Sequence, residues 1–229
     1  MIDHSILQPT HTDEDLLKQC DVAMKYDVAS VCVKPYAVKM AVKKLKGSNV
    51  AVGCVIGFPH GNSSTKVKVY EAEQACLDGA SEIDMVINIG KALGGEWDYV
   101  ESEIKAVTDM CHSHKAIVKV IFENDYVTKT EDKIRLCEIC TGAGADFVKT
   151  STGYGFVKQA DGNFNYKGAT LADVKLMREH SGPKVQVKCA GGVRTLDDLL
   201  KMKEAGATRS GATATEVILN DAKKRFGDK

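Results

Sequence analysis

The feature that most restricts the fold of this chain is a repeated alternation: short runs rich in β-branched residues, each followed by a longer stretch with helical spacing. Eight such runs read as strands, over 2–6, 30–33, 50–56, 82–87, 116–122, 147–150, 184–189 and 208–211. Strands that alternate with helices pair in parallel, because each helix carries the chain back to the edge it came from. Helix starts carry a Thr followed three residues later by an acid, at Thr12/Asp15, Thr128/Glu131, Thr170/Asp173 and Thr195/Asp198, where the hydroxyl can satisfy an N–H of the first turn. Helix stops recur at Gly79-Ala80, Gly144-Ala145 and Gly206-Ala207, spaced by 65 and 62 residues, the length of two βα units each. Five residues beyond each stop stand Asp84, Lys149 and Gly211, at equivalent places near the carboxyl ends of alternate strands. The expected architecture is an α/β fold, a (β/α)8 TIM barrel forming a single domain over residues 1–229, with its site on the loops that follow the strands. An open doubly wound sheet would also fit the alternation. It would usually carry a nucleotide loop, yet Gly142-x-Gly144 lies after a helix and before a strand, the reverse of the dinucleotide motif.

Composition narrows the class of function. Of 229 residues 44% are apolar and 27% charged, with four Pro, the balance of a folded chain. Lys plus Arg is 31 and Asp plus Glu is 31, so no overall field draws the molecule to nucleic acid or to an anionic membrane, and any anion site must be local. No apolar run approaches the ~20 residues of a membrane span, and the opening MIDHSILQPTHTDEDLL carries acid where a secretion signal carries base and then apolar residues, so a cytoplasmic location is expected. Eight Cys are dispersed through apolar segments, as buried reduced thiols are. Cys137 and Cys140 form one C-x-x-C within a helical pattern, with no second pair and no His pair nearby, which reads as packing and not as a metal site.

Parallel barrel strands are covered on both faces, so charges within them are informative. Glu82, Asp84, Lys119, Lys149 and Lys188 all fall within strands. Lys149 ends an apolar run and is followed by Thr150, Ser151, Thr152 and Gly153, the composition of a strand leaving the core for a polar pocket. Gln186 and Lys188 share one face of their strand, opposite Val185 and Val187. If Lys149 and Lys188 both face the lumen, burial and mutual repulsion depress a lysine pKa, and one amine can be neutral near pH 7. A neutral amine is the nucleophile that forms a Schiff base with a carbonyl. Asp84 could pair with the other amine and carry protons. The competing interpretation is a buried Lys–Asp pair serving only the core, although such pairs are weak stabilisers. A phosphate site is expected from Gly191-Gly192 after the seventh strand and Gly211-Ala212-Thr213 after the eighth, immediately before a helix over 214–225. His4 is expected near the pocket mouth, His112, His114 and His180 at helix ends, and Trp97 in packing.

Taken in order, several segments resemble the deoxyribose-phosphate aldolases, a family of class I Schiff-base aldolases, over essentially the whole chain. They are Ile2-Asp3-His4, residues 30–33, 55–59, 82–88 and 147–153, Lys188 with 190–195, and 205–209. The resemblance implies reversible cleavage of 2-deoxy-D-ribose 5-phosphate into D-glyceraldehyde 3-phosphate and acetaldehyde, in deoxyribonucleotide catabolism, without metal or cofactor. It implies that Lys149 forms the Schiff base, that Lys188 perturbs it and that Asp84 relays protons through water. Gly153, Gly191, Gly192, Gly211 and Thr213 match phosphate-contacting positions, and Cys32 and Thr152 match pocket lining. A homodimer or homotetramer acting on a small phosphosugar, with no nucleic acid or membrane partner, is also implied.

The chain departs from the family in four places. The loop from Tyr154 to Gly168 is longer than in many members and is expected to cover the pocket, to bring Lys158 or Lys167 to the phosphate, or to change the substrate range. Ala214 stands where many members have a second hydroxyl residue, which would weaken phosphate binding. The chain ends Arg225-Phe226-Gly227-Asp228-Lys229 without the tyrosine tail of some members, leaving proton transfer to Asp84, Lys188 and water. Gln8, where Lys is frequent, reads as a surface difference. Two other functions fit the same residues: a lysine aldolase for a different sugar phosphate, and a phosphosugar-binding barrel without turnover.

Overall fold

All eight expected strands form, and they close on themselves. The computed structural model describes residues 1–227. Its strands are β1 (Ile2–Ile6), β2 (Ser30–Val33), β3 (Ala51–Ile56), β4 (Glu82–Val86), β5 (Ile117–Ile121), β6 (Phe147–Lys149), a short antiparallel pair β7 (Val157–Lys158) and β8 (Phe164–Asn165), then β9 (Gln186–Ala190) and β10 (Arg209–Ala212). The parallel strands run round a closed barrel in the order β1-β10-β9-β6-β5-β4-β3-β2. The helices are α1 (Asp13–Lys25), α2 (Val38–Lys44), α3 (Thr65–Leu77), α4 (Ile89–Leu93), α5 (Trp97–Ser113), α6 (Thr130–Ala143), α7 (Leu171–His180), α8 (Leu196–Glu204) and α9 (Thr215–Phe226). This is the (β/α)8 barrel that the alternation predicts, with β7 and β8 inserted in the loop after β6.

Local chemistry explains most of the boundaries. Thr12 and Thr195 form full capping boxes with Asp15 and Asp198, and the Thr170 hydroxyl accepts the Asp173 N–H. Thr128 does not cap a helix. The chain first closes a turn by the Val127 N–H to the Glu123 carbonyl, and α6 begins at Thr130 after an N-cap at Lys129 that has no side-chain bond. The seventh barrel strand begins two residues later than expected, because Val185 donates back to the Gly182 carbonyl and ladder pairing starts only with the Gln186 N–H to Asp146. At the opposite helix ends Gly144 takes the left-handed C-cap. Trp97 opens α5 and packs against the core.

The apolar core lies outside the barrel. Val31, Cys54, Ile83, Met85, Val120, Val148 and Val187 are buried between strands and helices. Residues of opposite parity point inward, so Asp3, Glu82, Asp84, Lys119, Lys149, Lys188 and Arg209 fall on the lumen side. His4 follows the outer parity. Its Nδ1 meets the Thr215 hydroxyl at 2.7 Å and its Nε2 the Gln19 amide oxygen at 2.7 Å, so it ties β1 to α9 and α1 and does not reach the pocket mouth. His112 pairs with Asp146 at 2.9 Å, His114 caps α5 and His180 ends α7. Cys137 and Cys140 are free, buried thiols in the core. No helix among the described residues is long and apolar enough to cross a membrane.

A second buried charge pair fastens the helical layer to the barrel. Lys68 on α3 is fully buried, donates to the Val86 carbonyl at 2.8 Å and meets Glu103 on α5 at 2.9 Å, while Glu103 accepts the Asn88 N–H at 2.9 Å. Removing one partner leaves a buried charge alone. Lys68→Ala is expected to cost about 3–5 kcal/mol, lowering Tm by roughly 10 °C in a chain of this size. A thermal melt within about 2 °C of wild type would show that the pair holds nothing.

Candidate active site

The lumen carries an unusual load of charge. Barrels of this kind are normally filled by branched apolar residues, but here the middle of the barrel holds four cations and three carboxylates. Asp84 is at its centre and fully buried. Its Oδ2 accepts from Lys149 Nζ at 2.6 Å and from Lys188 Nζ at 2.7 Å, and its Oδ1 accepts from Lys119 Nζ at 3.0 Å. Lys149 and Lys188 are ladder partners on β6 and β9, so the two amines converge on one oxygen. Asp3 holds the next layer, meeting Lys188 at 2.6 Å, Lys119 at 3.1 Å and Arg209 at 2.7 Å. Glu82 closes the network, accepting from Lys119 at 2.5 Å and from Arg209 Nη2 at 2.7 Å.

This arrangement treats the two lysines differently. Burial pushes the Lys149 amine below its ordinary pKa, and the positive charge of Lys188 adds to that, against the pull of Asp84. Burial works on Lys188 too, but Asp3 and Asp84 on either side carry it well above the usual lysine range. Burial alone would raise Asp84, yet Lys119, Lys149 and Lys188 hold it well below the usual carboxylate range. Four cations against three carboxylates leave one surplus positive charge, and Lys149, the lysine whose pKa burial lowers, is the amine that gives up its proton most readily.

Above the network opens a cleft of about 220 Å³. Lys149 and Lys188 form its floor, and Cys32 and Thr152 line it. Gly153, whose added Cβ would lie 3.9 Å from the Gly191 Cα, joins Gly191, Gly192, Gly211 and Thr213 in a wall that runs to the start of α9, where Ala214 occupies the N-cap. Both lysines and the seven residues matched to pocket lining and phosphate contact are therefore in the lining, while Asp84 lies beneath it and meets it through the lysines. Burial pushes the Cys32 thiol up to about 11, so it stays protonated at neutral pH. Gln186 shares a strand face with Lys188 but is exposed and bonds Thr208, so it does not join the site.

Two expectations about the rim need correction. Neither Lys158 nor Lys167 lines the cleft; the 154–168 loop contributes Tyr154 and Tyr166 instead, and Tyr166 meets Arg194 at 3.4 Å. Asp125 sets this placement by accepting the Lys167 and Gly168 N–H groups, which directs the chain inward at the tyrosine. Gly168 then abuts Gly191: a Cβ on Gly191 would lie 2.9 Å from the Gly168 Cα, and both residues have positive φ. Gln8, read as a surface difference, is exposed but also lines the mouth. Asp3, Arg209, Tyr154, Tyr166 and Arg194 were assigned no role from sequence. The charges at Asp3 and Arg209, at the ends of short strands, were the available clue.

A family model described as DeoC/LacD family aldolase matches residues 1–221. The chain belongs to the DeoC/LacD family of aldolases. It is 51% identical over 227 residues to a deoxyribose-phosphate aldolase of Rhodopirellula baltica, covering 99% of this chain and 90% of the relative. It is 48% identical over 224 residues to one of Thermococcus gammatolerans, covering 97% and 95%. Among solved structures, the tetrameric deoxyribose phosphate aldolase of Aeropyrum pernix superposes with a TM-score of 0.86 at 27% identity, covering 98% of this chain and 90% of that one.

In this aldolase, Asp3→Asn removes a carboxylate shared by three cations and is expected to cost about 3–5 kcal/mol. The native network holds Asp3 below its ordinary pKa, so its contribution is present above about pH 4 and is lost as pH falls through the native value. Melting curves of wild type and Asp3→Asn are therefore expected to differ by a constant amount above about pH 5 and to converge in acid. A gap that widens on acidification would contradict the charge assignment.

Proposed function

We propose that the chain acts as one catalytic barrel that reversibly cleaves 2-deoxy-D-ribose 5-phosphate to D-glyceraldehyde 3-phosphate and acetaldehyde through a Schiff base on Lys149. The observation that carries this reading is the pairing of a lysine with lowered pKa at the cavity floor with a second lysine held charged by two carboxylates. Neutral Lys149 Nζ attacks C1 of the open-chain sugar, and the carbinolamine loses water to give an iminium. The C3 hydroxyl then gives up its proton, the C2–C3 bond breaks, and its electron pair moves into the iminium as an enamine while the three-carbon aldehyde leaves. Protonation of the enamine at C2 and hydrolysis release acetaldehyde and free Lys149. Charged Lys188 donates the proton with which the carbinolamine hydroxyl leaves as water, takes up the C3 hydroxyl proton as the neutral amine so formed and returns it to C2 of the enamine, with Asp84 behind it as the relay.

The glycine-lined wall supports the phosphate assignment. Gly153, Gly191, Gly192, Gly211 and Thr213 lie around the start of α9, where backbone N–H groups suit a dianion without any net protein charge. Arg194 adds a fixed positive charge at the rim. No metal or cofactor takes part in the reading. We extend it to a homo-oligomer, dimer or tetramer, on the example of the tetrameric Aeropyrum relative, and to a cytoplasmic enzyme of deoxyribonucleotide catabolism with no nucleic-acid or membrane partner.

Borohydride added with acetaldehyde is expected to fix a reduced two-carbon adduct on the Lys149 peptide, read by mass spectrometry. An unmodified Lys149 peptide would count against the mechanism. Lys149→Leu abolishes cleavage in this account, whereas Lys188→Leu removes the like charge beside Lys149 and moves its titration to higher pH. Trapping in Lys188→Leu at neutral pH should then slow by at least about tenfold, roughly the effect of one pKa unit, and recover as pH rises. A pH profile identical to wild type would remove Lys188 from its role.

A further inference from the structure

One buried carboxylate beside the cleft is left out of the lysine chemistry. Glu123 follows β5, is 1% exposed and has φ +56°, a left-handed backbone that a residue with a side chain adopts where its surroundings impose it. Its Oε2 accepts the Thr152 backbone N–H at 3.2 Å and, in a shorter bond, the Thr152 hydroxyl. Its Oε1 is buried without a hydrogen-bond partner among the described residues. Thr152 in turn lines the cleft and accepts the Tyr154 N–H at 2.9 Å.

Counting donors and acceptors decides what Thr152 can offer a ligand. A hydroxyl has one proton and two lone pairs. The proton is given to Glu123 and one lone pair to Tyr154, so the remaining lone pair is all that faces the cleft. The oxygens of a phosphate dianion only accept, whereas a sugar hydroxyl can donate. Resting on the aldolase reading above, we propose that Glu123 is a positioning residue that fixes Thr152 as a hydrogen-bond acceptor, so that Thr152 selects a hydroxyl of the sugar and not its phosphate.

The state of Glu123 then matters. Burial pushes its carboxyl up to about 7; the bonds from Thr152 pull it down, Asp125 on the same loop pushes it up, and Lys149 on β6 pulls it down. Once protonated, the carboxyl carries a hydrogen of its own to offer Thr152. The Thr152 hydroxyl is then free to turn its proton to the cleft, the wrong polarity for a sugar hydroxyl.

The experiment is steady-state cleavage of 2-deoxyribose 5-phosphate by wild type and Glu123→Gln from about pH 6 to about pH 9. The glutamine amide stays uncharged and can donate to Thr152 at every pH. KM is expected to be about tenfold above wild type at the alkaline end, the worth of one hydrogen bond, with a smaller change in kcat. The gap closes as pH falls below about 7, where wild type itself becomes protonated. The second ionisation of the phosphate, near pH 6, is common to both enzymes and drops out of the ratio. A KM ratio near one throughout, or elevated but independent of pH, overturns the assignment. Should Glu123→Gln fail to fold, wild type alone decides with 2-deoxy-D-ribose, which has no phosphate to titrate: KM must rise below about pH 7, and a flat profile overturns the proposal. Absence of any cleavage by wild type overturns the aldolase reading itself, and the proposal with it.

Discussion

Everything in the barrel depends on one carboxylate oxygen taking two amines. Asp84 Oδ2 binds Lys149 at 2.6 Å and Lys188 at 2.7 Å in a place that water does not reach. A pair of cations packed so closely has to be neutralised or partly deprotonated, since isolated charges are costly away from solvent. The other charges in the lumen determine which amine yields. Lys188 lies between two carboxylates, Asp84 and Asp3, whereas among the described residues Lys149 pairs with the one it must share. Asp3 in turn is fixed by Lys119 and Arg209, so the asymmetry at the cleft floor is built by residues one layer further down.

Much of this was legible in the sequence. Buried parallel strands tolerate charge only for a reason, so Asp84, Lys149 and Lys188 stood out in apolar runs, and the glycine stops gave the repeat that places Asp84 and Lys149 on alternate strands. The positions of Gly191, Gly192 and Gly211 followed from where barrels end their strands. Asp3 and Arg209 were missed because each sits near a strand terminus, where a charge reads as solvated, and only barrel closure between β1 and β10 brings them together. His4 was misplaced because it shares a strand with Asp3, and side-chain parity along that strand is the whole difference between lumen and helix layer.

The loop from Tyr154 to Gly168 shows where sequence alone fails in a different way. Its lysines drew attention as phosphate ligands, but the loop is held by its backbone, through Asp125 and the contact of Gly168 with Gly191. That attachment turns Tyr166 and Tyr154 to the cleft and leaves the lysines out of its lining. The site thus divides into a floor whose properties come from buried charge and a wall lined by Gly191, Gly192, Gly211 and Thr213 beside the start of α9. In the function proposed above, that division is what lets a chain of zero net charge bind an anion at one end and keep an amine neutral at the other.

The central claim is the unequal ionisation of two neighbouring amines, and ¹⁵N NMR of the lysine Nζ groups across a pH titration measures it directly. Lys149 should lose its proton below the ordinary lysine value of 10.5, while Lys188 stays charged throughout that range. A Lys149 that titrates at or above that value, or a Lys188 that deprotonates first, would contradict the account.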